Sequence, residues 1–172
     1  GSEMCIRDRN EDGSWKRYDA DWRESTYKNY FWMVPYDLQG LIDSIGGKEA
    51  AEKRLDEMFR RLDASYGDEW FASGNEPSFQ IPWIYNWAGA PYKAQQVIRR
   101  ILNEQYSSRV NGLPGNDDLG SMGAWYVFAS IGLFPEIPGV GGFSVNSPVF
   151  RKIVLHLPEG DVIIKGGDEK KE

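Results

Sequence analysis

The chain has 172 residues and a formal net charge of −6, enough for one domain with its own core and the wrong sign for a polyanionic partner. Nucleic acid and an anionic membrane surface are therefore excluded as main partners, and no apolar run approaches the roughly 20 residues that span a bilayer. The single Cys5 excludes an internal disulfide framework.

The opening "GSEMCIRDRN" shares no pattern with the rest of the chain. Gly1 and Ser2 read as a cloning remnant, and residues 1–14 are expected to be a non-native or disordered leader without a signal-peptide pattern. From Trp15 to Asp37 the chain is dense in rings. A helix is expected to begin near Ser25 or Thr26 and to stop at Pro35. Asp37 reads as the N-cap of "LQGLIDSI", which Gly46 and Gly47 close. "GKEAAEKRLDEMFRRLDAS" is the clearest helix, with Ala51, Leu55, Met58, Phe59 and Leu62 spaced by three and four. "GDEWFASGNEPSFQ" is a loop. "SFQIPWIYNWAG" reads as an aromatic helix kinked at Pro82 and ended by Gly89. Pro91 opens "PYKAQQVIRRILNEQYSS", with Val97, Ile98, Ile101 and Leu102 on one face. "MGAWYVFASIG" is apolar nearly all round and is expected to be buried between neighbours. After Gly142 the chemistry changes. "FSVNSPVF", "KIVLHL" and "DVIIKG" are short, β-branched and separated by turn residues. "GGDEKKE" is a charged tail that frays.

The expected fold is mainly α. Paired helices over residues 15–141, with aromatics inside, suggest part of an α/α toroid, followed by a β segment over 142–166 and a tail over 167–172. There is no fixed-period repeat, so a solenoid is not expected. Seven Trp and 14% aromatic residues suit a filled core or a sugar cleft, because pyranose C–H faces stack on rings.

Several acids stand at loop-to-helix junctions, apart from the solvated helix charges. Glu24 lies among Trp22, Tyr27 and Tyr30. Glu76 lies in "SGNEPS". Asn116, Asp117 and Asp118 lie together in "PGNDDLG". In a helical toroid such junctions gather at one rim. Two carboxylates across a glycosidic bond are the minimum for its hydrolysis, and oxygen ligands from Asp, Asn and Glu suit a hard cation. Each also has a structural reading. Glu24 fits a first-turn acid, Glu76 a cap beside Pro77, and Asn116 and Asp118 turn and cap residues.

"ESTYKNYFWMVPYDLQGLIDSIGG", "GNEPSFQIPWIYNWAGAPYKAQ" and "GLPGNDDLGSMGAWYVFASIGLFP" together resemble the C-terminal catalytic part of glycoside hydrolase family 92. The likeness covers residues 15–166, and three long motifs in order are far more specific than one short pattern. The resemblance implies a calcium-dependent, inverting exo-α-mannosidase, with α-1,2 links in mannose-rich glycans as the implied target. It implies a partial (α/α)6 barrel holding the later helices. The N-terminal β-sandwich and early barrel helices of a parent chain would be missing. Glu24 matches the general acid, which needs a raised pKa. Asp118 matches the acid that activates water, and Asn116 holds a position that is Asp in some members. Glu76, Asn75, Trp22 and Asp117 are the implied substrate contacts. Glu76, Gln80 and Asp118 are the implied calcium ligands. For inversion the two carboxyls should stand roughly 6.5–9.5 Å apart.

Two stretches depart from the family pattern. Phe79 stands where His is frequent, and in "ESTYKNY" Tyr27 replaces Trp while Lys28 adds a charge. A cation beside the acid would lower its pKa. The isolated chain is expected to be inactive. The alternatives are a non-catalytic carbohydrate-binding or scaffold fragment, and a toroid glycosidase of other sugar specificity. The family's usual site, the periplasm or the cell exterior, is implied by resemblance alone.

Overall fold

Helices form where apolar residues recur at three and four, and they stop at Gly and Pro. The computed structural model describes residues 10–12, 14 and 22–166. Most of the expected leader and the whole of the charged tail lie outside the described residues. Helix α1 is a single turn, Tyr27–Tyr30, with Thr26 at its N-cap. It is shorter than expected: past Tyr30 the chain tightens into turns, with Trp32 bonded to Asn29 at 3.3 Å and Met33 to Tyr30 at 2.9 Å, before Val34 leaves the helical region ahead of Pro35. Helix α2, Leu38–Ser44, is capped by Asp37 as the sequence predicts. The Asp37 carboxylate accepts from the Gly40 amide at 3.0 Å.

Helix α3, Lys48–Met58, ends earlier than its charge pattern suggests. Phe59 and Leu62 are buried all the same, carried inward by the turn that succeeds the helix. The expected aromatic helix is broken into a 3₁₀ turn, Ile81–Trp83, and a short helix α4, Ile84–Trp87. Pro82 has no N–H to donate. Helix α5, Pro91–Glu104, follows its apolar stripe, with Val97, Ile98, Ile101 and Leu102 buried.

Helix α6, Ser121–Ile131, is the main surprise of the helical part. Met122, Trp125, Ala129 and Ser130 are buried, but Tyr126 is 43% and Val127 54% exposed. Only one side of this helix is covered by the described residues. Two small antiparallel sheets complete the fold. Strands β1, Leu133–Phe134, and β2, Ser144–Val145, form one pair. Strands β3, Lys152–Leu157, and β4, Gly160–Lys165, form a hairpin with Lys152 opposite Lys165. The described chain is thus mainly helical, as expected, with strands where β-branched residues cluster.

The core lies between α2, α3, α4, α5 and α6. Leu38, Ile42, Leu55, Phe71, Trp83, Tyr85, Ile98, Ile101 and Met122 are almost fully buried, each contributing about 1.5–3 kcal/mol where its side chain is large and apolar. Trp125 sits at a junction of rings, stacked on Tyr106 at 5.6 Å and edge-on to Trp83 at 5.7 Å. Its indole N–H donates to the Phe79 carbonyl at 3.0 Å. This bond fixes the segment after Glu76 to α6.

Candidate active site

Glu24 occupies a bend just before α1 with φ of +56°. A left-handed backbone is uncommon for a residue with a side chain and costs on the order of 1–3 kcal/mol, so the surroundings must enforce it. Two consecutive carbonyls are clamped there. The Tyr30 hydroxyl donates to the Arg23 carbonyl at 2.8 Å, and Asn75 Nδ2 donates to the Glu24 carbonyl at 2.7 Å. Trp22 stacks on Tyr30 with centroids 5.1 Å apart. Burial, and then the charges of Glu24 and Glu76, push the Tyr30 hydroxyl above its usual range, which places both acids near that ring.

A buried amide joins this arm to the next loop. Asn29 Nδ2 donates to the Trp70 carbonyl at 3.0 Å. Its Oδ1 accepts from the Ala72 amide at 3.2 Å and the Ser78 hydroxyl at 3.1 Å. Nothing in the sequence marks Asn29 out, because it reads as one more polar residue on a short helix. Yet it holds the strand of chain that carries Asn75 and Glu76 against the helix next to Glu24.

The third arm is the acidic loop. Asp118 and Leu119 have φ of +45° and +61°, and Gly120 comes next at +86°. Glu24, Asp118 and Leu119 are the non-glycine residues with positive φ among the described residues. Such outliers concentrate at functional sites. Asp117 has a different task. Its Oδ1 accepts the Gly123 amide at 3.0 Å, and its carbonyl accepts the Ser121 amide at 2.8 Å. Its carboxylate is thus committed to starting α6. The acidic loop is set against the Asn75 loop by direct main-chain contact. A Cβ on Gly74 would meet the Pro114 oxygen at 2.6 Å, and one on Gly115 would meet the Gly74 oxygen at 2.5 Å.

The three arms enclose a cavity of about 420 Å³ lined by Glu24, Asn75, Asn116 and Asp118. Acids from opposite ends of the helical region thus face one space. Glu76, Gln80, Trp22 and Asp117 do not line it. Glu76 opens a 3₁₀ turn, Glu76–Ser78, that succeeds the cavity-lining Asn75, and Gln80 lies two residues past its end. The cavity is also lined by residues that sequence reading missed, Asp63, Ser65 and Tyr66. They come just after α3 and look like the solvated end of that helix. Asp63 is gripped by Arg61 through two bonds of 3.0 and 3.1 Å. This contact holds its carboxyl below the usual carboxylate range.

Glu24 is open to solvent, with 46% of its side chain exposed, and Arg23 lies 3.4 Å from it. Lys28 does not reach this cavity. It pairs with Glu69 and lines a larger cavity of about 770 Å³ with Phe31, Arg54 and Trp70. That larger space holds none of the site residues the sequence singles out, so the chemistry belongs to the smaller one. Phe79 also turns away, packing its ring 6.5 Å from that of Trp125. Neither departure from the family pattern therefore falls on the cavity wall.

The family model "Glycosyl hydrolase family 92 catalytic domain" matches residues 2–172. A curated relative, an uncharacterized secreted glycosidase of Arthroderma benhamiae, is 32% identical over 139 residues, covering 78% of this chain and 17% of that protein. The structure of the family GH92 alpha-mannosidase BT3965 from Bacteroides thetaiotaomicron superposes with a TM-score of 0.77 at 35% identity, covering 93% of this chain and 22% of that one. The same enzyme with mannoimidazole gives 0.76 at 30% identity, covering 93% and 24%. The GH92 family glycosyl hydrolase ccman5 gives 0.76 at 25% identity, covering 91% and 26%. The chain therefore spans about a quarter or less of the relatives it matches. On the family model and these relatives together, it belongs to glycosyl hydrolase family 92.

Proposed function

We propose that this chain carries the acid and base of an inverting exo-α-mannosidase cleft, within the later helices of a partial (α/α)6 barrel. The observation that carries the reading is the shared cavity of Glu24 and Asp118, with both residues at positive φ, a conformation that Glu avoids and Asp tolerates in turns. Glu24 is the proton donor to the departing glycosidic oxygen. Asp118 accepts a proton from the attacking water on the opposite face of the sugar. Asn116 and Asn75 line the same space and offer amide donors and acceptors to sugar hydroxyls. The terminal mannose of an α-1,2-linked glycan is the proposed substrate. Export to the periplasm or cell exterior fits the secreted description of the fungal relative.

Calcium fits this donor chemistry. The groups facing the cavity are carboxylate and amide oxygens, without thiol or imidazole, as a hard cation prefers. Among the described residues no three of His, Cys, Asp and Glu gather into a metal-binding group. Asp118, with the implied ligands Glu76 and Gln80, would hold the ion only if amide and sugar oxygens completed the shell. When bound, the ion supplies positive charge at the sugar hydroxyls.

Mannoimidazole is a suitable probe, since a related enzyme binds it. Added to the isotope-labelled chain with calcium, it is expected to shift the backbone resonances of Glu24, Asn75, Asn116 and Asp118. Glu24→Gln and Asp118→Asn should weaken it. Perturbations confined to other residues would overturn the assignment. Retained binding without any hydrolysis in a longer chain would favour the non-catalytic alternative.

A further inference from the structure

The loop that lines the cavity of Glu24 and Asp118 through Asp63, Ser65 and Tyr66 is built for rigidity. Asp63 forms an antiparallel bridge with Ala72, and the Ala64 amide donates to the Phe71 carbonyl at 3.1 Å. The Asp68 carboxylate accepts both the Ser65 amide, at 2.9 Å, and the Ser65 hydroxyl, at 2.7 Å. Arg61 fixes Asp63. The loop 63–68 is therefore braced at both ends and at its turn.

At its apex stands Tyr66, 64% exposed, without a hydrogen bond or ring contact to any described residue, yet lining the cavity. A lone exposed tyrosine on a mobile loop would be unremarkable surface. Here the loop is pinned, and the ring borders a polar space lined by three acids, Glu24, Asp63 and Asp118. An exo-acting cleft encloses the terminal sugar and must let the rest of the glycan leave over its rim. A flat ring with a polar tip at that rim suits the C–H face of a pyranose, and it loses little side-chain freedom on binding. Asp63, held ionised by Arg61, adds a hydrogen-bond acceptor beside it.

We infer that Tyr66 is the stacking platform for the sugar on the leaving-group side of the scissile bond, and that loop 63–68 forms its subsite. This rests on the mannosidase reading above. Titration calorimetry of the full chain with methyl α-mannoside and with α-mannobiose tests it. The wild type should bind the disaccharide more tightly than the monosaccharide. Tyr66→Ala should lower disaccharide affinity roughly three- to tenfold and leave the monosaccharide unchanged, while Tyr66→Phe retains both. Unchanged disaccharide affinity in Tyr66→Ala, or an equal loss for both sugars, overturns the subsite and leaves the mannosidase reading standing. Failure of the wild type to bind either sugar overturns both readings. Because Tyr66 is largely exposed, the variants should fold, and circular dichroism verifies it.

Discussion

A methyl group on Gly115 would have nowhere to go, since the Gly74 carbonyl oxygen stands 2.5 Å from where its Cβ would lie. Gly115→Ala should therefore push the acidic loop off the Asn75 loop. The expected cost is about 1–3 kcal/mol, read as a lower urea midpoint with an unchanged slope, together with weaker mannoimidazole binding. A variant as stable as the wild type would show that the contact yields. At this scale the sequence makes Glu24, Asn75, Asn116 and Asp118 legible only because they sit inside long motifs. Asn29, Asp63 and Tyr66 stay hidden, because their importance lies in partners that the linear order does not reveal. Asn29 bonds to residues 41 to 49 positions away. Asp117 shows the converse: it stands in the most conspicuous acidic run, yet its carboxylate is taken up by the Gly123 amide.

Glu136 locks two elements together. Its carboxylate accepts from the Trp87 indole N–H of α4 at 3.2 Å and from the Ser144 hydroxyl of β2. Only 4% of the residue is exposed, and Oε1 is buried without a partner. Burial pushes this carboxyl above the ordinary value of 4.5, against the lowering effect of its two hydrogen bonds. The folded form thus holds the proton more tightly than the unfolded chain. Its contribution is complete below about pH 4.5 and is lost as pH rises through the raised folded value. Glu136→Gln should remove that component and leave a flatter stability–pH curve, measured by urea unfolding from acidic to neutral pH. A curve parallel to the wild type would remove Glu136 as its cause. Element type follows the sequence closely where spacing is regular, as in α3 and α5. It fails over residues 81–87, where a proline and stacked rings such as Trp83 on Phe134, 4.1 Å apart, decide the backbone instead. Strand β1 is likewise invisible in its own two residues and exists because β2 returns to pair with it.

For the molecule as a whole, the apolar composition of α6 predicts burial on all sides, but the described residues cover only one. Tyr126 and Val127, with Phe143 and Phe150 nearby in sequence order, present more than two-fifths of their surface to solvent. Together with the exposed Glu24 side chain, this predicts that the chain by itself binds sugar without turning it over. Hydrolysis needs the substrate held in a fixed geometry against the reacting groups, and an open cleft does not supply it. Assays on α-mannobiose with added calcium should give no turnover above the buffer rate. Rates matching a full-length family member would show that the walls present are sufficient. The fold class is readable from sequence, whereas the extent of cover over each face is a property of neighbours and cannot be.

Where the Asn75 loop meets the acidic loop, at Gly74 and Gly115, the two are gauged by bare main chain, so this one contact does not depend on which side chains surround the mouth. Residues elsewhere on the mouth can be exchanged, amides, acids and rings alike, without disturbing that contact. The same arrangement concentrates vulnerability: a single carbon added at either glycine forces apart two loops that meet without side chains to give way.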